Sequence, residues 1–203
     1  MLTYDVARIR VQAGKHPAAL TRLERTLSAG TYPGQLLACW YSEIGALNEI
    51  LLIHAGADEA ARTEARAGVL QSNDPFGVGE FLVGMSMQTY ISFPFLPEMR
   101  SGRHGPIYEV RTYVFKPNGL MPTMELWRKC VPGRAALSPL LAAMFSPSGL
   151  RFLHVWPYAS LDERQRLRSK AVADGVWPPP GGPDHFVSMQ SDIFLATDFS
   201  PMR

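Results

Sequence analysis

The sequence has little that would tie it to a nucleic acid, a membrane or a metal. Its 203 residues carry 20 basic and 18 acidic side chains, a formal charge of +2. The arginines are scattered rather than gathered into a basic block, which excludes the footprint of a polyanion-binding protein. No uninterrupted apolar run approaches the roughly 18 residues of a membrane span. Only two cysteines occur, Cys39 and Cys130, inside apolar segments and without a CxxC spacing. Buried free thiols in a reducing compartment are expected, in place of a disulfide or a metal centre. The stretch Met1-Leu-Thr-Tyr-Asp-Val runs straight into a strand-like pattern, so no cleavable leader is expected. The motifs G-x-S-x-G, H-E-x-x-H, G-x-G-x-x-G and GK[ST] are all missing, and Gly102-Arg-His-Gly105 lacks the strand-to-helix turn of a phosphate cradle. No local His/Asp/Glu/Cys cluster is visible, so neither a metal nor a cofactor is expected. These absences describe a soluble cytoplasmic protein. Its 46% apolar content is enough for one sizeable core or two small ones.

What the chain does have is a repeat. Offset by 104 residues, Tyr4 meets Tyr108, Val6 meets Val110, Leu20 meets Met124, Leu23 meets Trp127 and Leu27 meets Val131. Later the offset becomes 102, pairing Arg62 with Arg164 and Met87-Gln88 with Met189-Gln190, and near the end Phe95 and Pro97 return to register with Phe199 and Pro201. A match that survives a length change at a loop and then recovers marks two copies of one unit, because loops tolerate such changes. In the second copy Leu120, Met124, Trp127 and Val131 step by four, three and four, which predicts an amphipathic helix with Trp127 in its core stripe.

Each copy reads as strand, helix, strand, strand, helix, strand. In the first, the pattern predicts a strand over 3–12, a helix over 15–29 and a hairpin of 35–43 and 46–54 around Gly45. A helix over 58–71 and a strand over 80–93 follow. Asp58 and Ser160 are the expected N-caps, with Ser160-Leu-Asp-Glu163 spelling a capping box. The fold class is α+β: two tandem ferredoxin-like βαββαβ repeats, expected over 1–97 and 106–203 with a linker between. One such sheet has a bare face that must be buried. Two joined copies can bury it sheet to sheet, as an intrachain dimeric α/β-barrel. The segment Trp177-Pro-Pro-Pro-Gly-Gly-Pro183 is a stiff loop before the last strand.

Tyr108-Glu-Val-Arg-Thr-Tyr113, Lys116-Pro117, His154-Val-Trp-Pro-Tyr158, Ser160-Leu161 and Arg164 resemble the NIPSNAP family, a branch of the dimeric α/β-barrel superfamily. The resemblance is clear over 106–201, while 2–97 is similar through the repeat. The first copy has Ala7 where the second has Arg111, Ile9 where it has Tyr113, and Leu52-Ile-His-Ala-Gly56 in place of the His-x-Trp-Pro-Tyr element. The resemblance implies the barrel fold and little chemistry. The family has no agreed reaction, and its superfamily includes cofactor-free monooxygenases, haem-associated enzymes and plain binding proteins.

A fused chain can let one half drift, so the sharper second copy is expected to carry the site. Strand alternation puts Glu109, Arg111 and Tyr113 on one face, and Phe152, His154 and Trp156 on another. These more polar sets are expected to line the barrel interior, with His54 joining from the first copy at the position of Trp156. Ligand-binding candidates are thus Glu109, Arg111, Tyr113, His154, Trp156 and His54, and His154 is the catalytic candidate. Each has a structural alternative: Arg111 as an ion-pair partner of Glu109, His154 as a core histidine, Trp156 as packing at a strand end. Three functions fit: a protein binding a small organic ligand, anionic or aromatic, in a barrel cavity; a cofactor-independent oxygenase or isomerase with His154 as base; or an interaction module with a packed barrel. The partners expected are that small molecule and a second copy of the chain, with no nucleic acid and no membrane span. The homodimer rests on Met85, Met87, Ile91, Phe93 and Phe95 as surplus apolar surface. Light scattering that returned only 22.5 kDa over a wide concentration range would remove it.

Overall fold

The structure, a computed structural model, describes residues 2–203. Strand β1 (Thr3–Val11), helix α1 (His16–Ser28), the pair β2 (Gln35–Ile44) and β3 (Glu49–Gly56), helix α2 (Glu59–Gln71) and strand β4 (Leu82–Ser92) form the first copy. The second repeats the order with β5 (Ile107–Phe115), α3 (Leu120–Ala135), β6 (Ala142–Phe145), β7 (Arg151–Tyr158), α4 (Leu161–Ala173) and β8 (Phe186–Ala196). The fold is α+β, two tandem ferredoxin-like repeats; in the first β1 pairs with β3 and β3 with β2, and in the second β5 pairs with β7 and β7 with β6, all antiparallel.

Local chemistry sets the element boundaries. The Asp58 carboxylate accepts from the amide of Ala61 at 3.0 Å and opens α2. The Ser160 hydroxyl accepts from the amide of Glu163 at 3.0 Å and opens α4. The return arm of that box reaches one residue further back than expected, with Glu163 accepting from the amide of Ala159 at 2.6 Å. The turn predicted at Gly45 is wider, and Asn48 takes the left-handed conformation with φ 58° before β3 begins.

Two compact units result, and their membership is interleaved along the chain. Of the described residues, the first holds 2–90, Arg100–Arg103 and Leu195–Arg203, and the second holds Ile91–Met99 and His104–Phe194. Part of the segment expected as a linker is therefore pinned in the first unit, where the amide of Gly102 donates to Pro201 at 3.0 Å and that of Arg203 donates to Gly102 at 3.0 Å.

Each unit has its own core. In the first, Ala7, Ile9, Leu23 and Leu52 pack together. In the second, Tyr113, Phe115, Phe152 and Trp156 pack against Met124, Trp127 and Val131 of α3 and Leu167 of α4. The predicted stripe is confirmed, with Trp127 only 4% exposed. Both thiols are free, Cys39 buried and Cys130 only partly so. Among the described residues no helix is long and apolar enough to cross a membrane.

Candidate functional site

In the second unit β5 and β7 run antiparallel with Glu109 opposite Trp156, Arg111 opposite His154 and Tyr113 opposite Phe152. Alternation and register thus gather five of the predicted residues on one face. That face was expected to line the barrel interior. It is instead the helix-covered face, because its side chains meet α3 and α4. Glu109 accepts from Arg164 of α4 at 2.6 Å, and the His154 ring lies 4.8 Å from that of Trp127 on α3. Alternation says which residues share a face and leaves open which face the helices cover.

Glu109 is fully buried and sits under a crowd of cations. Besides Arg164, its Oε1 accepts from Ser191 at 2.8 Å and lies 3.5 Å from Arg111 and 3.7 Å from Arg168. Burial pushes the carboxyl pKa up. The hydrogen bond from Arg164, the charges of Arg111 and Arg168 and the hydrogen bond from Ser191 outweigh it, and Glu109 stays ionised. Three guanidiniums thus share one carboxylate, and Oε2, Arg111 Nε and Arg164 Nε have no partner among the described residues. These three are half-buried, whereas a fourth cation, Arg134 of α3, is fully buried. It donates to the hydroxyl of Tyr158 at 3.0 Å and lies 4.4 Å over the ring of Trp156.

Arg111 and Arg168 form one wall of a cavity of about 210 Å³. The remaining walls are Tyr113, Trp127, Val172, Trp177, Phe186, Met189 and the proline loop at 178–183. Of the predicted ligand residues, Arg111 and Tyr113 border this space, while Glu109 stands behind it as the anchor of the arginines. His154 and Trp156 do not border it. The indole Nε1 of Trp156 donates to Nδ1 of His154 at 2.8 Å, and the imidazole is enclosed by Tyr113, Trp127, Phe152 and Trp156. Burial, then the charges of Arg111, Arg168 and Arg134, hold its pKa well below the usual value. The ring is neutral, and with Nδ1 accepting, its proton resides on Nε2.

His54 belongs to the first unit, where a matching cluster lies that the sequence reading did not find. Asp5, fully buried, accepts from Tyr32 at 2.8 Å and Arg62 at 2.9 Å on Oδ2. On Oδ1 it accepts from Thr89 at 2.7 Å and Arg66 at 3.2 Å. Burial raises its pKa, and the bonds from Thr89, Tyr32 and Arg62 more than reverse this. Arg62, 2% exposed, spends another nitrogen on Thr3 and Gly56. Gly56 leaves room for it, since a Cβ there would stand 2.9 Å from the Arg62 side chain. His54 packs at 4.8 Å on the Tyr32 ring, and burial lowers its pKa to about 4.

The two clusters are one design in two states. Asp5 and Glu109, Arg62 and Arg164, Arg66 and Arg168, Thr89 and Ser191 each correspond at the repeat's own offsets. The signal lay in the noticed pairing of Arg62 with Arg164, which needed only Asp5 and Glu109 beside it. The first unit closes its carboxylate with Tyr32 and has Ala7 where the second adds Arg111.

The comparisons with known proteins agree with this architecture. A sequence model of the NIPSNAP family matches residues 4–97 and 108–201, so it covers the drifted copy as well as the clear one. The chain is 25% identical over 187 residues to the protein NipSnap of Drosophila melanogaster, covering 83% of this chain and 65% of that one. It is 24% identical over 149 residues to the NipSnap homolog of Dictyostelium discoideum, covering 70% of this chain and 65% of that one. The chain therefore spans a little under two thirds of the length of these relatives. Among solved structures, an anthrone oxidase-like protein superposes with a TM-score of 0.65 at 12% identity, over 97% of this chain and 91% of that one. At that identity the likeness is one of fold.

Proposed function

The chain belongs to the NIPSNAP family, and on that premise we propose that its second unit binds a small organic anion in the cavity bordered by β5, α3, α4 and the 177–183 loop. The charge imbalance at that cavity carries the reading. Arg111, Arg164 and Arg168 lie within 4 Å of Glu109 as their shared carboxylate, and buried charges are costly unless paired. Two of the three, Arg111 and Arg168, border an otherwise apolar space. A mostly apolar concavity with a few convergent polar groups is the usual form of a small-molecule site. The two larger hollows of the first unit, about 420 and 380 Å³, are lined by no arginine.

The oxygenase or isomerase reading asks His154 to accept a proton. Its Nδ1 lone pair is already engaged by Trp156 and its ring is walled off from the cavity, so binding is the better-supported reading. An interaction module with a solid interior would have no use for a cavity edged by cations.

The test is a screen of anionic, neutral and cationic single-ring fragments, read through the indole N–H resonances of the four tryptophans. Trp127 and Trp177 shift with anionic members, and Trp40, buried in the first unit, stays in place. A screen in which no fragment moves Trp127 or Trp177 contradicts the reading.

A further inference from the structure

The shape and chemistry of the same cavity narrow the ligand further, and this step rests on the binding reading above. We propose that the ligand is a single-ring aromatic carboxylate, its carboxylate held by Arg111 and Arg168 and its ring inserted among Tyr113, Trp127, Trp177 and Phe186.

The carboxylate follows from comparing the two units. In the first, two arginines and two hydroxyl groups saturate both oxygens of Asp5. In the second, Arg111 stands where the first has Ala7, so one positive charge has been added at the corresponding place. Arg111 is only loosely engaged. Its contact with Glu109 is 3.5 Å long, its Nε is buried without a partner among the described residues, and its guanidinium lies 5.5 Å over the ring of Tyr113. Arg168 is held no tighter, at 3.7 Å. One added cation calls for one added anion, and a planar guanidinium with an unused N–H edge matches a carboxylate in a forked geometry.

The ring follows from the walls. Trp127 and Trp177 meet edge to face at 4.8 Å, as do Tyr113 and Phe186 at 4.8 Å, so the cavity presents aromatic faces and edges together. Flat rings pack well against such surfaces in offset or edge-on arrangements. At about 210 Å³ the space lies below the roughly 300–1,000 Å³ of sites for drug-sized ligands, which favours one ring over a fused polycycle.

The test titrates the full chain with benzoate, cyclohexanecarboxylate, benzyl alcohol and acetate, by calorimetry and by the Trp127 and Trp177 resonances. Benzoate binds tightest. Benzyl alcohol, which lacks the charge, is weaker by roughly tenfold or more, and cyclohexanecarboxylate, which lacks the aromatic ring, by about two- to tenfold. Arg111→Ala weakens benzoate by about tenfold or more and leaves benzyl alcohol unchanged. The aromatic carboxylate class is overturned if benzyl alcohol or acetate matches benzoate, or if Arg111→Ala leaves benzoate affinity intact. If acetate matches benzoate, only the ring is removed and the anion-binding reading stands; if benzyl alcohol matches benzoate, or Arg111→Ala leaves benzoate affinity intact, the anion falls with it. If none of the four perturbs Trp127 or Trp177, both fall.

Discussion

Replacing Asp5 with Ala should destabilise the protein by about 3–5 kcal/mol, the cost of stranding one member of a buried ion pair. Asp5 and Arg62 have side-chain exposures of 0% and 2%, so solvent cannot take over for the missing carboxylate. Besides the Arg62 pair at 2.8 Å, the change strands the hydroxyl of Tyr32, whose ring is packed between those of His54 and Phe76. Arg62 cannot swing out to water, because its Nη1 is tied to Thr3 and Gly56. Urea unfolding of Asp5→Ala, Arg62→Ala and the double variant measures this. The double variant should cost clearly less than the sum of the singles, since a large part of each single loss is the charge left behind. An Asp5→Ala protein within about 1 kcal/mol of the parent would show that the cluster is not a structural anchor.

The repeat was legible because its signals are local in each copy. The Tyr4 and Tyr108 strands, the Leu120 to Val131 stripe and the caps at Asp58 and Ser160 depend on neighbours within a turn or a hairpin, and they fixed the fold class. The clusters were not legible in the same way. Asp5 reads as an ordinary strand residue because Arg62, which explains it, is 57 residues away. The pairing becomes visible only when the 104 and 102 offsets are applied together. Arg168 and Ser191 were missed for the same reason.

The expected division into one polar and one plain copy was half the picture. Ala7, Ile9 and Leu52 do replace Arg111, Tyr113 and His154, yet the first copy keeps a complete ion cluster of its own. The Trp177 loop read as a stiff spacer, and nothing in its composition says that its indole closes a cavity with Trp127. Nor does sequence distance warn that Ile91–Met99 and Leu195–Arg203 each join the unit of the other copy. That outcome is a property of strand pairing, such as Ile91 with Phe145, rather than of composition.

Glu109 and Arg111 should separate sharply in ligand-free thermal melts, and this contrast tests the central claim, that the second copy holds a surplus cation for a ligand while the first is self-satisfied. Glu109 is the counter-charge of three guanidiniums, so Glu109→Ala leaves three half-buried cations repelling one another and, with solvent screening part of that, should cost about 1–3 kcal/mol. Arg111 is one of the three and, at 3.5 Å, is held far less closely than Arg164 at 2.6 Å, so Arg111→Ala removes repulsion and should leave the chain as stable as the parent or slightly more so, as expected of a group kept for binding rather than folding. Arg111→Ala melting at or above the parent temperature, beside a Glu109→Ala that melts well below it, is the result the account predicts. If Arg111→Ala falls together with Glu109→Ala, Arg111 is a structural partner of Glu109, and the claim is contradicted.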